Sequence, residues 1–336
     1  MTEHFRLPSV SAIVPVYNGR TYLEKSLPPL IALLGKELVE VIVVDDSSTD
    51  GSRELAEQMG ARVIPSGGRL GPAGGRNVGA RAAQGEVLLL VDVDVGVHPD
   101  AVGKVRSAFA SGDMAAAFGS YDDQPSHPGF WSQYKNLLHH FTHQSAAEEA
   151  STFWTGCSAV RKEVLLANGG FDSALYEHPS IEDIEFGYRL RAAGGKIKIL
   201  HDVQATHFKH WTLAELLHTD IFRRAIPWSK LILSNPHSKP DLNARPGEMA
   251  RAALAAAFFL TLFLAIAGIL PLWTPAVPLL GGFVSNSSLF TLFYRCNGPL
   301  FAIGALLFHQ VYYLYSSLAF LWCYLVHWLR SAQRVK

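Results

Sequence analysis

Net charge is missing from this chain. Its 29 Lys and Arg residues balance 29 Asp and Glu over 336 positions, so no bulk field draws it to a polyanion and nucleic acid is not an expected partner. Cysteine is scarce as well. Cys157, Cys296 and Cys323 are too few and too scattered for a disulfide framework or a zinc cluster, which points to a reducing compartment. No long apolar core with a small-residue cleavage site follows the charged stretch Met1 to Arg6, so no secretory leader is read there and the N-terminal half is expected to face the cytoplasm. The Gly-Lys-Ser/Thr ending of a P-loop is absent from the glycine-rich stretch Gly67 to Gly79, and its glycine spacing is not a dinucleotide fingerprint.

What the chain has in quantity is apolar residues, 49% of the total, and they are distributed in two styles. Up to Ser238, short β-rich runs alternate with helical stretches, the pattern of an α/β domain with a mainly parallel sheet. Ser11 to Val16, Val39 to Val44, Arg62 to Pro65 and Glu86 to Val91 read as strands, with Lys196 to Leu200 later. Tyr22 to Leu34 and Ser52 to Met59 read as helices, the second capped by Asp50 or Ser52. Residues 239–251 form a polar, proline-containing linker. Beyond it, 252–273 is uncharged over 22 positions, enough to cross a hydrocarbon core of roughly 30 Å. Residues 296–329 are uncharged too, with a second span expected at about 300–327 inside a membrane domain of 252–336. The prolines and glycines of 274–294 predict a loop or re-entrant segment between the spans. Lys239, Arg245 and Arg251 before the first span, and Arg330, Arg334 and Lys336 after the last, place both flanks on the cytoplasmic side of a multi-pass inner-membrane protein.

The chemistry-bearing residues follow the strands. The first strand runs into Pro15-Val16-Tyr17-Asn18-Gly19 and the second into Asp45-Asp46-Ser47-Ser48-Thr49-Asp50-Gly51. Ligands of open α/β sheets sit at strand C-termini, where carboxylates can accept from base N–H groups or ribose hydroxyls; an ordinary Asp/Ser/Gly turn explains each loop equally well. Gly74-Gly75-Arg76-Asn77-Val78-Gly79 offers flexible backbone and a cation for a diphosphate, or simply turn-forming glycines. Val87 to Val91 ends in Asp92-Val93-Asp94, whose carboxylates strand alternation would point to one side. Two like charges so close call for neutralisation, as by a hard divalent ion such as Mg²⁺ or Mn²⁺. Glu182-Asp183 opens a helix, where its acids either complement the dipole or supply a general base.

In this order the motifs closely resemble the GT-A glycosyltransferases of family 2, inverting enzymes that use nucleoside-diphosphate sugars. The matching stretch is about Ser9 to Trp228. The resemblance implies a Rossmann-like GT-A catalytic domain over 1–238, followed by transmembrane helices. It assigns Pro15, Tyr17, Asn18, Asp45, Asp46, Arg76, Asn77 and Asp92 to the donor, Asp94 and His207 to the metal, and Asp183 to the role of catalytic base. Trp154, Gly156 and Glu182 fall where the family shapes its acceptor side.

Residues 213–233 mix apolar side chains with Arg223, Arg224 and Lys230 and suit an interfacial helix, from which Arg224 and Trp228 would reach an acceptor or a phosphate. Three residues separate Arg224 from Trp228, unlike the contiguous Gln-x-x-Arg-Trp of processive polysaccharide synthases, so extrusion of a long polymer is not expected. The leading expectation is transfer of one sugar from a UDP- or GDP-linked donor to a lipid or lipid-linked acceptor. Transfer to a soluble or growing glycan, and a non-catalytic sugar-nucleotide sensor, are the alternatives.

Overall fold

The computed structural model of the chain describes residues 6–235 and 246–334. Most of the linker expected at 239–251, including Lys239 and Arg245, lies outside the described residues, as does Lys336. The chain divides into two compact units, Met1–Pro128 with His143–His210, and Gly129–Thr142 with Trp211–Lys336. The amphipathic segment 213–233 falls in the second of these.

The first unit is built on strands β1 (Val10–Val16), β2 (Glu40–Asp45), β3 (Arg62–Pro65) and β4 (Val87–Val91), interleaved with helices α1 (Arg20–Ile31), α2 (Ser52–Gln58) and α3 (Gly71–Ala82). β1, β2 and β4 are buried along their whole length. Runs such as Val-Leu-Leu-Leu-Val suit parallel strands covered on both faces. β5 (Val95–Val97), α4 (Ala101–Ala108) and β6 (Ala116–Tyr121) follow, then, after the excursion of α5 (Phe130–Gln144), β7 (Glu149–Ala150), β8 (Cys157–Arg161), α6 (Lys162–Ala167), α7 (Glu182–Ala192) and β9 (Ile197–His207). The sheet order is β3-β2-β1-β4-β8-β6-β9-β5, with β7 paired to β9.

The α/β class expected from sequence is present, but the sheet is mixed rather than mainly parallel. Parallel pairing holds from β3 through β4 and between β6 and β9. β8 runs antiparallel to both β4 and β6, and β5 and β7 run antiparallel to β9. The βαβ crossovers that enforce parallel pairing end at β4. The glycines of α3 serve the packing of a helix rather than a flexible loop: a Cβ on Gly79 would lie 2.5 Å from Ile13 Cγ2, and one on Gly75 would lie 3.0 Å from Pro15 Cβ. Glycine therefore lets α3 settle onto β1.

One buried carboxylate fastens the far ends of these elements. Glu40, 8% exposed, accepts from Ser11 Oγ at 2.8 Å, from Arg62 Nη1 at 2.8 Å and from the Gln84 amide at 2.5 Å.

The second unit is helical. α5 packs with α8 (Leu213–His218) and a π-helical turn (Thr219–Ala225), which run on without a break into α9 (Ile226–Ser234). Thr212 and Glu215 form a capping box at the start of α8. α10 (Pro246–Ile266) and α11 (Ala276–Ser285) come next. The helical stretch Ser287–Arg334 breaks at Gly298, whose φ of 78° is left-handed, just before Pro299. The break separates α12 (287–297) from α13 (299–334). The segment 274–294, expected as a loop or a re-entrant segment, is thus mostly helix, which rules out the plain loop. Pro275 and Pro278 fall at the N-cap and first turn of α11, where proline costs no hydrogen bond. Gly281 and Gly282 let α11 approach Leu254 and Gln310. Tyr134, Trp211, Leu216, Phe290 and Phe293 centre the core of this unit. Gly247–Ile266 and Ser287–Ser331 are each long and apolar enough to cross a membrane.

Burial pushes the pKa of Glu40 up, but the hydrogen bonds from Gln84, Ser11 and Arg62 and the Arg62 charge outweigh it, so the carboxyl lies below its ordinary value. A depressed folded-state pKa contributes stability above the unfolded value and loses it as pH falls through the folded one. Glu40→Gln is therefore expected to lower stability at pH 7 by about 1–3 kcal/mol, with the gap to the native chain closing as pH drops below the ordinary glutamate range. Thermal melts in detergent at neutral and acid pH check both parts.

Candidate active site

The C-terminal ends of β1, β2 and β4 deliver the motif residues to one rim, and the first two loops are stitched together there. Asn18, in the left-handed region at φ 47°, donates its amide to Ser48 Oγ at 3.0 Å and accepts from the Thr49 amide at 2.8 Å. Asp50 accepts from the Arg20 amide at 3.0 Å through one oxygen and from the Ser52 amide at 3.0 Å through the other, joining the starts of α1 and α2. Pro15 lies within β1. Asp45 accepts from the Ser48 amide at 3.0 Å, closing its own turn. Asp46 uses both oxygens on the Leu70 and Gly71 amides, at 2.8 and 2.9 Å, and so anchors the start of α3. Tyr17 is 44% exposed, and the Arg69 guanidinium lies 3.2 Å from the centre of its ring. Sequence reasoning passed over Arg69. Its signal was the cation that follows Gly67-Gly68.

Arg76 projects from α3 into the interior. Its Nη2 donates to Asp92 Oδ1 at 2.6 Å and its Nη1 to Glu182 Oε1 at 3.1 Å, with 3% of the side chain exposed. Burial alone would lower its pKa, but the charges of Asp92, Glu182 and Asp183 and the hydrogen bond to Asp92 raise it above its ordinary value. To the donor contact expected of Arg76 the structure adds a bond between the end of β4 and the start of α7. Asn77 beside it is clasped to Phe171, donating to its carbonyl at 2.8 Å and accepting from its amide at 2.9 Å.

Asp92 and Asp94 are not placed by strand alternation. β4 stops at Val91, and the Val95 amide donates to Asp92 O at 3.0 Å, so 92–95 is a turn. Each carboxylate then meets its own partner: Asp92 meets Arg76, and Asp94 Oδ2 lies 3.4 Å from His207 Nε2. β5 carries this second pairing, since Val95 is in register with His207 on β9. Burial raises the pKa of Asp94, but the charge and hydrogen bond of His207, with Lys209 beyond, hold it below the ordinary carboxylate range. His207 stacks on Tyr121, ring centres 4.4 Å apart and planes within 5°, and Trp154 meets Tyr121 edge-on at 4.8 Å. A Cβ on Gly156 would fall 2.2 Å from the Trp154 indole, so glycine is required beneath it. Tyr121 carried no sequence signal, since the register of β6 with β9 aligns it.

Asp183, on α7, receives the Ile184 amide at 2.8 Å on one oxygen and the Thr155 amide at 3.2 Å on the other. Its neighbour Glu182, 4% exposed, accepts from the Ser180 amide at 2.8 Å as well as from Arg76. Cys157, behind Asp92, is no nucleophile: burial first, and then the Asp92 charge, push its thiol up to about 12. Arg224 and Trp228 belong to the second unit, where Arg224 Nη1 lies 3.2 Å from His139 Nε2 and Trp228 sits in α9.

A mixed α/β sheet with paired acids after its fourth strand and a further acid at a later helix start defines the GT-A class of sugar-transfer enzymes. Residues 11–168 match the model of glycosyl transferase family 2. Glycosyltransferase AglE of Haloferax volcanii is 25% identical over 207 residues, which are 60% of this chain and 67% of that protein. The succinoglycan biosynthesis protein ExoO of Rhizobium meliloti is 32% identical over 115 residues, 33% of this chain and 32% of that one. Among solved structures, the mannosyltransferase PcManGT from Pyrobaculum calidifontis, in complex with GDP-Man and Mn²⁺, superposes with a TM-score of 0.57 at 18% identity, covering 94% of this chain and 88% of its own. Over residues 11–168 the chain is thus similar in sequence to glycosyl transferase family 2, and its fold is that of the GT-A enzymes.

Removing one partner of a buried ion pair strands the other in the interior. Arg76→Met is expected to cost about 3–5 kcal/mol, and Glu182→Gln in the same chain is expected to restore part of the loss. Thermal melts of the two single variants and the double variant measure that coupling; strict additivity would contradict it.

Proposed function

We propose that this chain transfers a single sugar, with inversion, from a nucleoside-diphosphate sugar to a lipid or lipid-linked acceptor at the cytoplasmic face of the membrane. The observation that carries the reading is the pairing of Asp94 with His207 in the same unit as Asp183, an acid held at a helix start by backbone amides.

A divalent ion fits the first of these groups. Two neighbouring ligands of an ion bound at about 2.1 Å stand roughly 3 Å apart, and Asp94 Oδ2 and His207 Nε2 are 3.4 Å apart. Among the described residues no third His, Cys, Asp or Glu completes a cluster, so an ion held here would need its remaining oxygens from a diphosphate and water, which Mg²⁺ and Mn²⁺ accept. Such an ion would stabilise the charge of the departing nucleoside diphosphate. Tyr121 holds the His207 ring by stacking, and Arg76 fixes Asp92 beside the donor. Asp183, its lone pairs oriented by Thr155 and Ile184, takes the acceptor proton as the hydroxyl attacks the anomeric carbon opposite the leaving group. PcManGT in complex with GDP-Man and Mn²⁺, and TarS of S. aureus in complex with UDP-GlcNAc at a TM-score of 0.51, support a GDP- or UDP-linked donor. The two apolar helices support an acceptor that resides in the bilayer.

Asp183→Asn is expected to abolish transfer while leaving donor affinity within about twofold, because an amide cannot take the acceptor proton. Isothermal titration with UDP- and GDP-sugars, beside a nucleoside-diphosphate release assay on membrane lipid, reads both, and a large loss of donor affinity would remove Asp183 from this role. Asp94→Ala is expected to weaken donor binding in Mg²⁺ or Mn²⁺ but not in EDTA. Undiminished activity of the native chain in EDTA would count against the metal.

A further inference from the structure

Both apolar helices pass the length test for a bilayer crossing, yet the hydrogen bonds of the second unit fix where their ends lie. Tyr313 Oη contacts Glu248 Oε2 at 2.8 Å and Asn286 Oδ1 at 3.1 Å. Glu248 stands in the first turn of α10, and Asn286 caps the end of α11. α10 therefore departs from, and α11 returns to, one level of the molecule, a level that α13 also passes.

From residue 248 to 266, α10 extends roughly 27 Å. No charged residue occurs between Arg251 and Arg295. At the far end Ile266, Ile269, Leu272, Trp273, Val277 and Leu280 are each more than 60% exposed. A hairpin with bare apolar flanks and a polar clasp at its mouth is what a lipid core accepts, since helix satisfies the backbone within the hydrocarbon and the polar side chains stay at its edge.

α13 behaves differently. Phe130 of α5 packs where a Cβ on Gly304 would point, 3.2 Å away. His309 Nδ1 is 2.7 Å from Tyr134 Oη of α5, Tyr315 Oη donates to Asp220 of the π turn at 2.8 Å, and Cys323 Sγ lies 3.7 Å from the Ile226 carbonyl of α9. Over residues 304 to 323, roughly 28 Å of helix, α13 thus follows elements that carry the buried Lys135–Asp220 ion pair and the Arg224–His139 contact. A helix crossing the bilayer cannot keep such company along its length.

The last constraint is chain length. Asn297 Nδ2 donates to Gln133 Oε1 at 3.0 Å, and Gln133 follows Pro128, the last residue of its stretch of the first unit, by five positions. Five extended residues reach at most roughly 18 Å, short of the ~30 Å hydrocarbon core. Residues 296 and 297 therefore cannot lie on the membrane face opposite the catalytic unit.

We propose that α10 and α11 form a re-entrant hairpin, entering and leaving the bilayer by the face that carries the catalytic unit, and that α13 lies along that face instead of crossing. The proposal rests on the membrane reading above. It replaces two crossings, which would put 274–299 on the far side, with none.

Cys296, exposed and outside any disulfide, tests it. The full-length chain is reconstituted in liposomes and treated with a membrane-impermeant maleimide before and after detergent. A Gln58→Cys reporter on the catalytic unit, in a Cys296→Ala background, measures the outward-facing fraction. Cys296 is expected to label before detergent in the same proportion as the reporter. Complementary proportions, with Cys296 protected wherever the reporter is reached, would overturn the hairpin and leave the membrane reading standing. Release of the protein from the liposomes by alkaline carbonate would overturn the membrane reading and the hairpin with it.

Discussion

The guanidinium of Arg76 is the interaction on which the catalytic unit depends. It sits 3% exposed between Asp92, at the end of β4, and Glu182, at the start of α7, two points separated by 90 residues of chain. A buried cation is tolerated only when its charge is answered and its N–H groups are used, so helix α3, the turn after β4 and the start of α7 have one mutual arrangement that keeps it. Asp183 inherits its position from that bond, because its neighbour Glu182 is fixed. The glycines of α3 are part of the same constraint. Only a helix that lies close on β1 brings Arg76 deep enough to reach both acids.

Much of the first half was legible in the sequence because its strands are buried on both faces and its helices lie between them. β3 matches its sequence bounds, and β1, β2 and β4 match to within a residue. The antiparallel half was not legible. β8 inserts between β4 and β6 after a long excursion, and no local pattern in Cys157–Arg161 announces which neighbours it takes. The same limit applied at the site. Asp92 and Asp94 stood out as a pair of acids, but that they separate onto Arg76 and His207 depends on a turn at 92–95 that periodicity read as continuing strand. Arg69 and Tyr121 went unnoticed because their contacts are made by register and loop closure rather than by sequence neighbours.

In the second half, composition showed where the apolar mass lies but not which way it runs. An uncharged stretch reads alike whether it crosses a bilayer, dips into it or lies on it. Four polar contacts, Tyr313 with Glu248 and with Asn286, Tyr315 with Asp220, and Asn297 with Gln133, carry the directional information. Each joins residues dozens of positions apart, so none could be read from a local window.

Gly156 beneath the Trp154 indole carries a consequence for how this family of sites diversifies. The two positions share one volume: no side chain larger than hydrogen fits at 156 while the indole lies over it, 2.2 Å from where a Cβ would be. A chain that acquires alanine or serine there must first surrender the tryptophan to something smaller, and the edge that Tyr121 now receives goes with it. The pair forms an evolutionary ratchet, to be changed together or not at all, and the two positions are expected to covary among relatives that keep the histidine behind Tyr121.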